Sequence, residues 1–311
     1  MKLTTSHLPI QLLICFSVAT WTLPALAGER HCPGNVASVT PRFVAHTFIV
    51  IPVRVNHQGP FDFMVDTGSQ VTIVDPALGA ELSLKPRAKV GLVFAAGHAD
   101  ASISVLESLE AGFQTVEHPL AIVHDLGEVK VADSRIRGVL GEDFLAHFDM
   151  LIDYEHKMLC LDGSGRMGTQ VRGERISLVG RQDPDDALPF AIRLVLAVDV
   201  SGVGARPLLL QLDSGTNSPI LYQTRGKSRL ALLDQATPRT GALSVAARAF
   251  AALPRQQLRI GGRTVRQVSF VTPVCAAYDM PTRGEDGLLP TLLFPRVFIC
   301  AVGRYVVLDP H

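Results

Sequence analysis

FMVDTGSQVTIV, residues 63–74, places an acid, a hydroxyl and a glycine between two runs of strand-forming residues. A strand that ends on a carboxylate can aim it out of the sheet. The glycine lets a neighbouring backbone approach closely, and the hydroxyl can brace the turn. Alone, Asp66-Thr67-Gly68 reads as a turn, because Asp and Gly are ordinary turn residues. It does not stand alone. IVIPVRVNHQGPFDFMVDTGSQVTIV (49–74) lies over LAVDVSGVGARPLLLQLDSGTNSPIL (196–221) without a gap, at a constant offset of 147, the difference between 213 and 66. Asp66 then falls on Asp213, Thr67 on Ser214, Gly68 on Gly215 and Pro60 on Pro207. Phe61, Phe63 and Val65 fall on Leu208, Leu210 and Leu212, with the alternation of a strand.

A second correspondence lies downstream. RGVLGEDFLAHF (137–148) matches DGLLPTLLFPRV (286–297), with Gly138 against Gly287 at an offset of 149. Each copy closes in a strand-like segment, MLIDYEHKMLCLD (150–162) and FICAVGRYVVLDP (298–310). The chain therefore divides into an N-terminal segment (28–42), a first lobe (43–162), an interlobe linker (163–187) and a second lobe (188–311). The linker assignment rests on DGSGRMGTQVRGE (162–174), which is polar and glycine-rich. Gly163 to Gly168 fits the dinucleotide fingerprint G-x-G-x-x-G, but that fingerprint must open a helix, and TQVRGERISLVG (169–180) has strand and turn character. Within each lobe, short Val, Leu and Ile runs are punctuated by Gly and Pro, which predicts an all-β fold. The helical candidates are short: PALGAELSL (76–84) and QTRGKSRLALL (223–233).

With 311 residues, 47% of them hydrophobic, the chain can bury a substantial core. Lys plus Arg and Asp plus Glu both number 29, and no basic stripe is interleaved with aromatics, so nucleic acid is not an expected partner. Lys2, the apolar run IQLLICFSVATW (10–21) and Ala25-Leu26-Ala27 read as a signal peptide over residues 1–27. The run falls short of the roughly 20 residues that a spanning helix needs. Cleavage near Ala27 and a secreted or periplasmic location follow as expectations, with no membrane span in the mature chain. Cys15 would leave with the signal peptide. Cys32, Cys160, Cys275 and Cys300 would remain, allowing three pairings. Cys275 with Cys300 is the expected pair, since both lie on strand-like segments late in the chain. No C-x-x-C pair is present, so a zinc site is not expected. His124-Asp125 lacks further ligands at suitable spacing. Ser69, Ser201 and Ser214 sit in no G-x-S-x-G context. RQQLRIGGRTVR (255–266) alternates as a strand with one solvated face does.

Two acid turns related by a pseudo-twofold axis can face each other across one cleft. Like charges that close share a single proton. One carboxylate can then take a proton from water while its partner protonates a substrate carbonyl, which hydrolyses an amide without a covalent intermediate.

The acid motif D-[TS]-G after an apolar strand, an apolar-apolar-Gly element about 70 residues on, and the duplication of both resemble the pepsin/retropepsin group of aspartic proteases. GPFDFMVDTGSQVTIV (59–74) and RGVLGEDFL (137–145) are especially similar to the bacterial retropepsin-like proteins. The resemblance implies a two-lobed acid-protease fold, with pseudo-twofold related β lobes and a central cleft. It makes Asp66 and Asp213 the catalytic dyad, Thr67 and Ser214 the braces of the two acid loops, and Gly68 and Gly215 the completion of their turns. It also implies a β-hairpin flap within VGLVFAAGHADASISVL (90–106), with Ala96, Gly97 and His98 near its tip, and a counterpart in SVAARAFAALP (244–254). The flap stretch has no tyrosine, which resembles the retroviral type more than single-chain pepsins. The implied substrate is a peptide or protein, with no cofactor and no metal, in a monomer whose lobes form a pseudo-dimer.

The second lobe departs from the pattern. It reads Leu288-Leu289-Pro290 where the first reads Val139-Leu140-Gly141, and proline fixes φ and removes a donor. Two alternatives accordingly stay open: an inactive peptide-binding or assembly protein, and a homodimer that uses Asp66 from each chain.

Overall fold

The computed structural model describes residues 31–45, 47–94, 97–180, 193–202, 206–222, 237–238, 250–273 and 284–311. The signal-peptide region, Ala96, Cys275, the helical candidate 223–233 and residues 244–249 of the second flap candidate lie outside these. Among the described residues no helix is long and apolar enough to cross a membrane.

The first part of the chain is a run of strands: β1 (Ser38–Val39), β2 (Arg42–Val44), β3 (Phe48–Val55), β4 (Gln58–Val65) and β5 (Thr72–Val74). There follow β6 (Ala88–Phe94), β7 (Gly97–Val105), β8 (Ser108–Ala111), β9 (Gln114–Glu117) and β10 (Leu120–Val123). β11 (Ile136–Leu140), β12 (Asp149–Asp153) and β13 (Met158–Asp162) complete it. The second part repeats the scheme with β14 (Ile176–Ser177), β15 (Val195–Val200), β16 (Leu208–Asp213), β17 (Ile220–Leu221), β18 (Thr237–Pro238) and β19 (Phe250–Ala252). It closes with β20 (Gln256–Ile260), β21 (Arg263–Val268), β22 (Val271–Pro273), β23 (Gly287–Pro290), β24 (Arg296–Cys300) and β25 (Tyr305–Leu308).

Local chemistry explains the first hairpin. β3 and β4 meet through a two-residue turn at Asn56 and His57, both with positive φ (50° and 61°), the twist that matches a right-handed strand pair. Asn56 tolerates that conformation and its Oδ1 accepts the Glu107 amide at 2.7 Å. α1 (Pro76–Glu81) begins where Asp75 caps the Leu78 amide at 2.5 Å and Pro76 takes the first helical position. It is shorter than the stretch 76–84 predicted from sequence.

The two lobe sheets have the same strand order. The first runs β6-β7-β10-β5-β11-β4-β3-β8-β9, with β2 added beside β3, and the second runs β18-β19-β22-β17-β23-β16-β15-β20-β21. In each, one strand threads between the two that flank an acid loop. β11 runs parallel to β4 and antiparallel to β5, with Gly138 opposite Phe63 and Val74. β23 runs parallel to β16 and antiparallel to β17, with Gly287 opposite Leu210 and Leu221. A third sheet, β1-β13-β12-β24-β25-β14, joins the lobes through the antiparallel pair β12 and β24 at its centre. The fold is all-β, with two lobe sheets of matching strand order. One continuous apolar core, including Val65, Leu140, Leu212, Leu289 and Val297, runs beneath both acid loops.

Two expectations are corrected. The disulfide joins Cys32 to Cys160, not Cys275 to Cys300, and Cys300 is a buried free thiol. The N-terminal arm explains this: β1 pairs with β13, setting Ser38 opposite Cys160, so the arm is laid across the strand that carries its partner cysteine. Cys300 instead ends β24 opposite Tyr305 and accepts the Gly303 amide at 3.3 Å. The glycine-rich stretch after Asp162 also contains a one-turn helix (Arg166–Gln170) where a linker was expected. Asp162 holds it by accepting the Met167 amide at 2.7 Å, and Met167 is buried beside the disulfide.

Candidate active site

Asp66 follows the last residue of β4, and Asp213 is the last residue of β16, so two equivalent strands deliver both acids to one point. Their loops interlock. The Thr67 amide donates to Ser214 Oγ at 3.1 Å and Thr67 Oγ1 donates to the Leu212 carbonyl at 3.0 Å. Reciprocally, the Ser214 amide donates to Thr67 Oγ1 at 3.0 Å and Ser214 Oγ donates to the Val65 carbonyl at 2.9 Å. Both hydroxyl residues are buried. This places the two carboxyls within hydrogen-bonding reach of each other.

The glycines follow from that proximity. A Cβ at Gly68 would stand 2.5 Å from the Asp213 carboxyl carbon, and one at Gly215 would collide with the Asp66 carboxyl. Glycine also lets each loop turn back on its own acid. The Gly68 amide donates to Asp66 Oδ1 at 2.8 Å and the Gly215 amide to Asp213 Oδ1 at 2.6 Å.

Burial raises the proton affinity of Asp66, opposed by the Gly68 amide, the Asp213 side chain and the Ser69 amide. Asp213 is pushed well above the usual carboxylate range by burial and then by the charge of Asp66. Both acids are thus held above their ordinary range, Asp213 the more strongly, and the two titrate as a coupled pair.

The support around the acids is asymmetric. In the first lobe the Gly141 amide donates to Thr72 Oγ1 at 3.2 Å, and the Thr72 hydroxyl and amide both donate to Asp143 Oδ1 at 2.8 Å. In the second lobe the equivalent positions are Pro290, Pro219 and Leu292. Pro290 supplies no donor, and Pro219 presents no hydroxyl to receive one. β23 nevertheless keeps its register, with Pro290 opposite Asp213. Gln211 reaches across to accept neither acid but to donate to the Gly68 carbonyl at 3.2 Å. Gln70, with its amide turned to satisfy both ends, accepts from Arg193 Nε at 2.8 Å, and Arg193 also donates to buried Glu285 at 2.9 Å. Tyr154 bonds Thr291 at 2.6 Å, and burial, above all, pushes the phenol up to about 12.

Of the residues predicted for the site, Asp66, Thr67, Gly68, Asp213, Ser214 and Gly215 converge. Gly97 and His98 open β7, which pairs with β6 to make a hairpin whose connecting residues lie outside the described ones. β19 takes the place of β7 in the second sheet. Thr72, Glu142, Asp143 and Gln211 were not singled out from sequence. The Glu-Asp pair directly after Val139-Leu140-Gly141 was the available signal, since two acids inside an apolar stretch must find burial partners or keep protons.

Residues 51–144 match the aspartyl protease family. The match lies within the first lobe and includes the Asp66 loop. A retropepsin-like aspartic protease from Rickettsia conorii is similar at 22% identity, over 40% of this chain and 87% of that one, with a TM-score of 0.31. No curated protein matches the chain.

Proposed function

We propose that the protein is a secreted or periplasmic aspartic endopeptidase that acts as a single chain. The observation that carries this reading is the reciprocal Thr67 and Ser214 lock, which holds the Asp66 and Asp213 loops together. Asp66, ionised, draws a proton from a water between the acids. Asp213, protonated, donates to the carbonyl oxygen of the scissile amide, and the water oxygen adds to the carbonyl carbon. Collapse of the resulting diol returns a proton to the leaving amine. An extended peptide is the substrate class that suits two acids presented between two β lobes, with the β6-β7 hairpin as the covering element.

The dyad is assembled within one chain, which favours a monomer over pairing of two first lobes. The match of Pro290 by Pro219 favours an intact second acid loop over a decayed one.

The test is cleavage of a peptide library, read by mass spectrometry across pH 3 to 8, with D66N and D213N beside the unmodified protein. Cleavage abolished in both variants is the expected result. Activity retained in D213N, in a dimer, would instead support pairing of first lobes.

A further inference from the structure

A third carboxyl lies against the first acid loop and has no part in the scheme above. Glu142 opens α2 (Glu142–Leu145) directly after Gly141, and its amide donates to the Ser69 carbonyl at 2.9 Å. Its backbone is thus tied to the loop that carries Asp66. The side chain is 3% exposed, and Oε1 is sealed from solvent without a hydrogen-bond partner among the described residues.

The charges Glu142 faces are those of Asp66 on the acid loop and Asp143 on its own helix. β5, which packs against α2, presents only Thr72, Ile73 and Val74. The acid loop from Thr67 to Val71 adds no titratable group. From the second lobe, the Arg193 guanidinium reaches the neighbouring Gln70 and Glu285. A buried carboxyl facing two acids keeps its proton. Burial first, then Asp66 and Asp143, hold Glu142 well above the usual range.

The second lobe shows that the fold does not demand an acid here. The position equivalent to Glu142 is Thr291, whose hydroxyl is satisfied by Tyr154 at 2.6 Å. One acid of the pair therefore has a carboxyl at its back and the other a pair of neutral hydroxyls.

We propose that Glu142 is a positioning residue which joins Asp66 and Asp213 in one cluster of three acids and two protons, and that its ionisation ends the working range on the alkaline side. The inference rests on the dyad reading of the site. In the working state Asp66 is charged while Asp213 and Glu142 hold the protons. When Glu142 loses its proton, either two adjacent negative charges remain or Asp66 takes a proton and ceases to be a base. Both outcomes stop water activation.

Two measurements test this. The first needs no activity: ¹³C-carboxyl NMR titration of glutamates in the full chain, with Glu142 assigned by E142Q or, should that variant not fold, by triple-resonance spectra. The Glu142 signal is expected to titrate well above the ordinary glutamate value of about 4.3 and to move down by about one unit or more in D66N. An ordinary midpoint, or one unmoved in D66N, overturns the proposal even if no peptide is ever cleaved. The second is the pH profile of cleavage by E142Q and E142M. Their alkaline limb should move up by about half a unit or more while the acid limb stays in place. An alkaline limb that superimposes on that of the unmodified protein also overturns it.

Discussion

Thr67 and Ser214 each donate through both backbone amide and hydroxyl to the opposite loop, so neither acid can be positioned without the other lobe. T67A would leave the Ser214 amide and the Leu212 carbonyl buried and unpaired. The expected cost is about 2 to 4 kcal/mol, because each orphaned polar group costs its full desolvation. T67S keeps the hydroxyl and should lose about 1 kcal/mol or less. Since the two residues share bonds, T67A and S214A should fall short of additivity by about 1 kcal/mol or more in urea denaturation. Strict additivity would mean that the lock is not a unit.

Asp143 makes stability depend on pH in a direction opposite to a salt-bridged acid. Burial pushes its carboxyl up to about 7, against the opposing hydrogen bonds from Thr72. Between the unfolded value and the folded one, the native state binds more protons than the unfolded state. The contribution is therefore full at low pH and is lost as pH rises toward 7. Asn at this position still accepts from Thr72 but does not titrate. D143N should accordingly flatten the fall in unfolding free energy between pH 4 and 7 by about 1.4 kcal/mol per pH unit, the slope of one proton. Equal slopes in denaturant titrations of the two proteins would rule this out.

The acid dyad was legible in sequence because its signal is a repeat. An offset of 147 aligns Asp66 with Asp213, and the folded sheets preserve that register in Ile73 opposite Val139 and Ile220 opposite Leu288. The solvated strands of 255–266 were legible by alternation, with Gln256, Leu258 and Ile260 buried and Gln257 and Arg259 exposed. Cysteine pairing was not legible, because it depends on where a short edge strand, β1, lays the N-terminal arm. Nor was the meaning of Pro290, which reads as a defect until the equivalent of Thr72 is seen to be Pro219, with no hydroxyl to meet an amide. Partner choice across separate strands is a tertiary fact, and no local pattern encodes it.

The disulfide closes a long loop, with 128 residues separating Cys32 from Cys160. Cross-links stabilise chiefly by restricting the unfolded chain, and long loops gain most in that account. Replacing both cysteines by alanine should cost about 2 to 5 kcal/mol. The acid loops are held by their own hydrogen bonds, so cleavage below the new melting temperature should persist. Reduced proteolytic resistance with preserved turnover, compared under the same buffer, is the expected pattern. Loss of turnover at temperatures where circular dichroism shows a folded chain would tie the arm to the site.

Gly141 and Pro290 occupy equivalent positions under opposite demands, and exchanging their chemistry should be asymmetric. At Gly141 the amide is used by Thr72, and an added Cβ would stand 2.7 Å from the Val71 carbonyl carbon. G141P therefore removes a donor and forces backbone apart, with an expected loss of about 3 kcal/mol or more. At Pro290 the backbone is extended, with φ near −60°, and the equivalent of Thr72 is Pro219. P290G creates a donor with no hydroxyl to meet it and frees the unfolded chain, which should cost only about 1 kcal/mol. Thermal unfolding of the two variants decides the matter. A mild G141P would mean that the Thr72 bond is dispensable, and a severe P290G would mean that proline rigidity itself holds the second acid loop.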